Sequence, residues 1–174
     1  VDERAVTGCS FDSRAVSAGD VFFCKGAAFK PAFLRMALDA GAVAFVCEES
    51  LVESLEPLAQ ESGAAMLVVD SVRTAMALLP PEVYDRPDRD VKIVGITGTK
   101  GKTTAAFMLQ SIIKAAGESC GMIGSVSTDD GIECYESTNT TPEAPEVWRH
   151  IANCRTSGRQ SMVMEVSSQA LTYQ

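Results

Sequence analysis

Seven residues, Gly98-Thr99-Lys100-Gly101-Lys102-Thr103-Thr104, constrain the fold of this chain more than any other stretch. Before them runs Val91-Lys92-Ile93-Val94-Gly95-Ile96-Thr97, apolar enough for a buried strand. After them residues 103–116 read as a helix that Gly117 ends. At such a junction a strand delivers the chain into a tight turn, and the following helix offers unpaired N–H groups at its positive end, where phosphate oxygens bind. Gly98 and Gly101 let the backbone approach an anion and take torsions closed to other residues. Lys102 can reach β- and γ-phosphates as a point charge, and the Thr103 hydroxyl can ligate Mg²⁺. The spacing departs from the usual G-x-x-x-x-G-K-[ST], because Ile96 stands where the first glycine would be and Gly95 comes one residue early.

Upstream, strand and helix patterns alternate. Asp20-Val21-Phe22-Phe23-Cys24 reads as a buried strand, residues 31–40 as a helix opened by Pro31 and stopped by Gly41, and residues 42–47 as the next strand. Ser50 is placed to cap a helix carrying Leu51, Val52, Leu55 and Leu58. Met66-Leu67-Val68-Val69 is another strand, and Ser71 caps a helix that Pro80-Pro81 should end. The charged, proline-containing segment 85–90 reads as a linker, giving domains at 1–86 and 87–174. Beyond the glycine loop, residues 122–126 and 161–166 read as strands and residues 142–154 as an amphipathic helix with Val147, Ile151 and Cys154 on one face. Near-continuous apolar strands between helices predict an α/β fold: a small N-terminal α/β domain, then a P-loop-type domain with a parallel sheet covered on both faces.

The formal net charge of −8 argues against nucleic acid as a partner. The acidity is uneven: residues 1–86 hold 7 basic and 13 acidic side chains, and residues 87–174 hold 8 and 10. The half with the anion-binding loop is the less acidic one. No apolar run approaches the roughly 20 residues of a membrane span, and Val1-Asp2-Glu3-Arg4 does not open a signal peptide. The six cysteines are dispersed, with no C-x-x-C pair, and read as buried reduced thiols in a cytoplasmic protein. Glu165 ends an apolar strand, where an uncompensated carboxylate is costly, so it reads as a Mg²⁺ ligand or as a cap on a neighbouring loop. His150 reads as a surface residue of its helix, Trp148 as packing, and Asp129-Asp130 as a polar turn.

The run from Ile96 to Thr104 resembles the ATP loop of the Mur ligases and of the folylpolyglutamate synthetases, which both form amide bonds by phosphorylating a carboxylate. Lys100, where most Mur ligases have asparagine, leans toward the folate enzymes. Three further segments resemble Mur ligases alone. Phe11-Asp12-Ser13-Arg14 followed by Gly19-Asp20-Val21-Phe22-Phe23 is similar to a "DSR…GDLF" opening, Asn139-Thr140-Thr141-Pro142 to a "TTP" segment, and Met164-Glu165-Val166-Ser167-Ser168-Gln169-Ala170-Leu171 to "MEVSSHAL". The last two point to the enzymes that add the third peptide residue.

The resemblance implies ATP and Mg²⁺ as cofactors, with Gly98, Thr99, Lys100, Gly101, Lys102, Thr103 and Thr104 around the nucleotide. Lys102 and Glu165 would serve catalysis, and Thr103 and Glu165 would hold the metal. It implies UDP-N-acetylmuramoyl-L-alanyl-D-glutamate and a diamino acid (L-lysine or meso-diaminopimelate) as partners in peptidoglycan precursor synthesis. Phe11, Ser13, Ala27, Ala28 and Phe29 would hold the uridine end, with Asn139, Thr140, Thr141 and Ser167 on the diphosphate or muramoyl part. Two positions depart from the pattern. Lys30-Pro31 stands where the family has Asp-Gly-His, and Gln169 replaces a histidine, keeping a hydrogen-bond donor without a group that titrates near neutrality.

The resemblance also implies further chain beyond Gln174, including a carbamylated lysine that orients a second Mg²⁺ and a C-terminal amino-acid-binding domain. The expectation is therefore a partial, inactive ligase. Two rival readings are a folylpolyglutamate-type ligase and a non-catalytic UDP-sugar or nucleotide sensor.

Overall fold

A computed structural model describes residues 5–137 and 139–172. Residues 1–4, read above as no signal peptide, lie outside them. The chain divides into two compact units, one ending at Tyr84 and the other starting at Asp85.

The first unit is a parallel four-stranded sheet in the order β1-β2-β3-β4, formed by Gly8–Ser10 (β1), Asp20–Phe23 (β2), Ala44–Glu48 (β3) and Ala65–Val69 (β4). Period-2 alternation sorts its side chains into two cores. Phe22, Cys24, Phe45 and Cys47 meet Leu34 and Ala37 of α1 (Pro31–Asp39) and Leu55 of α2 (Val52–Ser62). Cys9, Val21, Phe23, Ala44 and Val46 face Val72, Ala75 and Met76 of α3 (Val72–Val83). Phe23, Leu34, Phe45 and Leu55 are 0 % exposed, and each such side chain removed from water contributes about 1.5–3 kcal/mol.

Two helix boundaries of this unit differ from those expected. Ser50 lies within a 3₁₀ turn, Glu49–Leu51, and α2 begins at Val52 with no side-chain cap. α3 runs through Pro80 and Pro81 to Val83. The two prolines are buried in its last turn, and the helix closes with Tyr84 N–H donating to the Pro80 carbonyl at 3.0 Å, so packing outweighs the two missing donors. Ser71 does cap α3, its Oγ accepting from Thr74 N–H at 3.3 Å.

The second unit holds a five-stranded sheet in the order β5-β9-β6-β7-β8. Lys92–Ile96 (β5), Cys120–Ile123 (β6) and Ser161–Glu165 (β9) are parallel, while Ser127–Asp129 (β7) and Cys134–Glu136 (β8) form an antiparallel hairpin absent from the sequence reading. α4 (Lys102–Ala115) covers one face through Ala106, over Cys120, Met122 and Val163. α5 (Ala144–Thr156) covers the other through Ile151 and Cys154, over Ile123 and Met162. Glu143 and Glu146 form a reciprocal capping box at the α5 start, so this helix begins two residues later than Pro142 suggested. The short helix α6 is Ser168–Thr172.

The expected two-sided cover is incomplete at β5. Among the described residues it pairs only with β9, and Ile93 and Val94 remain 38 % and 37 % exposed. The charged segment after Tyr84 forms a 3₁₀ turn, Pro87–Arg89, with Pro87 and Val91 buried and the Arg86 guanidinium 5.8 Å from the centre of the Trp148 ring. No helix among the described residues is long and apolar enough to cross a membrane.

Candidate phosphate and metal site

The sheet register builds the site. Ile96, the last residue of β5, pairs with Glu165, the last residue of β9, and Val166 N–H donates to the Ile96 carbonyl at 2.8 Å. On the other side of β9, Ile123 pairs with Met164, so the turn after β6 lies beside Glu165. Three parallel strands thus end together under the glycine loop, at the edge where open α/β sheets bind ligands.

The loop has the conformation its glycines permit. Gly98 (φ +149°) and Gly101 (φ +79°) have positive φ, and a Cβ on Gly101 would meet open space. Gly101 is the N-cap of α4 and supplies no side-chain bond, so the first N–H groups of this 14-residue helix have no side-chain cap there. Thr99 and Lys100 are exposed, as is Thr104. Lys102 Nζ donates to the Gly98 carbonyl at 2.9 Å, curling the cation back over the loop.

Glu165 is 0 % exposed yet fully compensated. Its Oε1 accepts the Ser125 N–H at 2.8 Å, and its Oε2 accepts the Thr103 hydroxyl at 2.9 Å and the Ser125 hydroxyl at 3.3 Å. The capping reading of Glu165 holds: one oxygen holds the 124–126 turn, and the other accepts from the loop hydroxyl of Thr103. Gly124 makes room for this, since a Cβ there would come within 2.5 Å of Glu165 Oε1.

The 139–143 segment joins the same cluster. Thr141 Oγ1 donates to the Glu165 carbonyl at 2.9 Å and accepts Ser167 N–H at 3.0 Å, while the Ser125 hydroxyl lies 3.0 Å from Thr140 Oγ1. The structure thus brings Lys102, Thr103, Thr140, Thr141, Glu165 and Ser167 around one strand edge, with Asn139 exposed beside them. Ser125 and Gly124 escaped the sequence reading because they look like the tail of a strand. Their signal was a polar residue after a glycine at the carboxyl end of a sheet strand.

Phe11, Ser13, Ala27, Ala28 and Phe29 belong to the first unit. Asp12 O accepts Ala15 N–H at 2.9 Å, turning the chain so that Ser13 is half-buried. Hydrogen bonds from the Arg14 side chain and amide hold the Asp12 carboxyl down at about 2. Lys25 lies over the Phe11 ring at 4.6 Å, linking the turn after β1 to the one after β2. Ala27 and Ala28 are exposed, and Phe29 packs on the α1/α2 core.

A second polar cluster corrects one sequence reading. His150 is not on the surface but 0 % exposed, while Asp130 lies in the polar turn expected of it and is 0 % exposed as well. Asp130 Oδ1 accepts Ile132 and Glu133 N–H at 2.9 and 2.7 Å, and Oδ2 meets His150 Nδ1 at 2.6 Å and Asn153 Nδ2 at 2.8 Å. His150 Nε2 faces the Tyr135 hydroxyl at 3.0 Å, and Glu133 is paired with Arg149. Asp130, Glu133 and His150 have the residue types to ligate a cation, but each of the three side chains already has a protein partner. The cluster therefore reads as a clamp of the β7–β8 hairpin onto α5. All six cysteines are free and five are buried as expected, whereas Cys134 is exposed.

A family model, the Mur ligase middle domain, matches residues 96–173. The chain is 40 % identical over 165 residues to a UDP-N-acetylmuramyl-tripeptide synthetase of Lactobacillus delbrueckii subsp. bulgaricus, covering 92 % of this chain and 31 % of that protein. It is 37 % identical over 169 residues to a UDP-N-acetylmuramoyl-L-alanyl-D-glutamate--L-lysine ligase of Streptococcus mutans, covering 97 % and 33 %. It thus spans about a third of the length of the curated relatives it matches. Among solved structures, a UDP-N-acetylmuramoyl-L-alanyl-D-glutamate--2,6-diaminopimelate ligase superposes with a TM-score of 0.69 at 22 % identity, over 96 % of this chain and 33 % of that one. A MurF ligase from Thermotoga maritima in complex with ADP gives 0.61 at 23 % identity, over 97 % and 34 %. Residues 96–173 thus match the Mur ligase middle domain, and nearly the whole length of the chain is similar to tripeptide synthetases.

Proposed function

We propose that this chain supplies the nucleotide-phosphate site and the UDP-substrate-binding part of a cytoplasmic ATP-dependent ligase of cell-wall biogenesis. The proposed reaction adds a diamino acid to UDP-N-acetylmuramoyl-L-alanyl-D-glutamate. The observation that carries this reading is the meeting of Thr103 Oγ1 and Glu165 Oε2 at 2.9 Å under a glycine loop. A hydroxyl and a carboxylate are hard oxygen donors suited to Mg²⁺, and the uncapped start of α4 suits a polyphosphate. A Mg²⁺ ion held by Thr103 and Glu165 would neutralise charge on the transferred phosphoryl group.

The chain's own residues account for the phosphate end of this chemistry. Lys102, released from the Gly98 carbonyl, is within reach of the loop's anion and offsets charge growing on the phosphoryl oxygens. The D-glutamyl side-chain carboxylate attacks the γ-phosphorus of ATP, ADP leaves, and an acyl phosphate forms. The amine of the diamino acid then attacks the acyl carbon, loses a proton, and expels phosphate. Thr140, Thr141 and Ser167 present hydroxyls and an amide beside Glu165, where they would hold the diphosphate or muramoyl part. Phe11, Ser13 and the loop from Ala27 to Phe29 would take the uridine end.

Titration of the chain with Mg·ADP and with the UDP-linked dipeptide tests this reading, repeated with Ser13→Ala and Thr141→Ala. The expected result is binding of both ligands, with the dipeptide weakened by either substitution. Binding of neither ligand, or dipeptide affinity unchanged in both variants, overturns it.

A further inference from the structure

Ser125 stands at the junction of the two halves of the candidate site, and no sequence motif assigns it a role. Its hydroxyl lies 3.3 Å from Glu165 Oε2 and 3.0 Å from Thr140 Oγ1, and a serine hydroxyl has a single proton to donate. The two acceptors therefore compete. Without a cation, the carboxylate is the stronger acceptor, because charge-assisted hydrogen bonds are about twice as strong as neutral ones. Glu165 does not depend on this proton for its place. The Ser125 main-chain N–H holds Oε1 at 2.8 Å and Thr103 holds Oε2 at 2.9 Å.

We propose that Ser125 is a positioning residue that couples cation occupancy at Glu165 to ordering of the 139–143 segment. This rests on the reading of Thr103 and Glu165 as the metal ligands. A cation drawing charge from Glu165 Oε2 weakens that oxygen as an acceptor, and the Ser125 proton turns to Thr140. The segment is then held at two points, by Ser125 through Thr140 and by the Glu165 carbonyl and Ser167 amide through Thr141. The second anchor involves main-chain atoms that the cation does not compete for, so the change falls on the Thr140 end. The consequence is a 139–143 segment whose Thr140 end is better ordered when the cation is bound. By linkage, ordering of this segment tightens metal-dependent nucleotide binding by the same factor.

Amide hydrogen exchange of residues 139–143 tests the coupling on the full chain, with ADP alone against ADP plus Mg²⁺, and Mg·ADP affinity is measured in parallel. Wild-type exchange is expected to slow about fivefold or more on adding Mg²⁺, the low end of ordinary coupling factors. Ser125→Ala removes the slowing, and Ser125→Thr, which keeps a hydroxyl, restores it. Thr140→Ala, which deletes the other end of the same bond from a half-exposed site, also removes it and decides the matter should Ser125→Ala fold poorly. Equal slowing in the folded alanine variants overturns the coupling, as does a wild type that binds Mg·ADP with no slowing. Both of those results leave the phosphate-site reading standing, whereas a wild type that binds no Mg·ADP overturns both.

Discussion

Thr103 and Glu165, separated by 62 positions in the chain, are joined by a 2.9 Å hydrogen bond from the threonine hydroxyl to a carboxylate that is 0 % exposed. The bond pre-places two oxygen donors at the mouth of the glycine loop. Glu165 is paired, so its charge can be kept out of water without the penalty of an isolated buried carboxylate.

Glu165→Gln should separate metal binding from folding. The amide oxygen can keep the Ser125 N–H, and the Thr103 and Ser125 hydroxyls can rotate to accept from the new NH₂. Stability should change by less than about 1 kcal/mol, while the Mg²⁺ dependence of ADP affinity disappears. Glu165→Ala should instead cost about 1–3 kcal/mol, because it leaves a buried donor unpaired. Denaturant melts and titrations with and without Mg²⁺ check both.

Lys102→Ala should weaken ADP binding by about 2 kcal/mol, roughly thirtyfold in Kd. Its visible bond is to an exposed loop carbonyl, so the melting transition should stay where it is. A matching loss of stability would give Lys102 a structural role instead.

Gly124→Ala should damage the site from a position with no functional group. Its Cβ would lie 2.5 Å from Glu165 Oε1, forcing the carboxylate or the turn to shift at about 1–3 kcal/mol. Metal-dependent ADP binding should fall with it. A variant that binds Mg·ADP like the wild type would show that Glu165 tolerates displacement.

His150→Ala should destabilise the second unit by about 3 kcal/mol, combining a lost bond to a buried carboxylate with a ring-sized cavity. Acid should act at the same place. Burial alone would raise the Asp130 carboxyl, but the Glu133 amide, His150, Asn153 and the Ile132 amide outweigh it and leave it below the ordinary value. A carboxyl depressed in the folded state adds stability above the unfolded value of about 3.9. That stability fades as pH falls through this value towards the folded one. The pH dependence of unfolding between about pH 5 and 2 should flatten in Asp130→Asn.

Thiol labelling of the native protein should find Cys134 first, the one cysteine that is exposed. Burial pushes Cys9 and Cys154 up to about 12 from 9.0, leaving about a thousandfold less thiolate. Cys24 and Cys47 are raised for the same reason. One fast equivalent and a slow remainder released by denaturant is the expected pattern, counted by mass spectrometry.

Local rules made the glycine loop, the strand–helix alternation and the Ser71 cap legible from sequence, because glycine torsions, apolar period and capping act over a few residues. The Thr140-Thr141-Pro142 and Glu165 segments were legible by resemblance. Three features were decided only in three dimensions. The antiparallel β7–β8 hairpin was hidden in short, polar strands, and His150 looked solvated on its helix until Asp130, 20 positions away, closed over it. Ser125 acquired its partners from the register of β6 against β9. Sequence determined which groups could do chemistry; strand pairing decided which of them meet, because a buried polar group must find its partner wherever the fold delivers one.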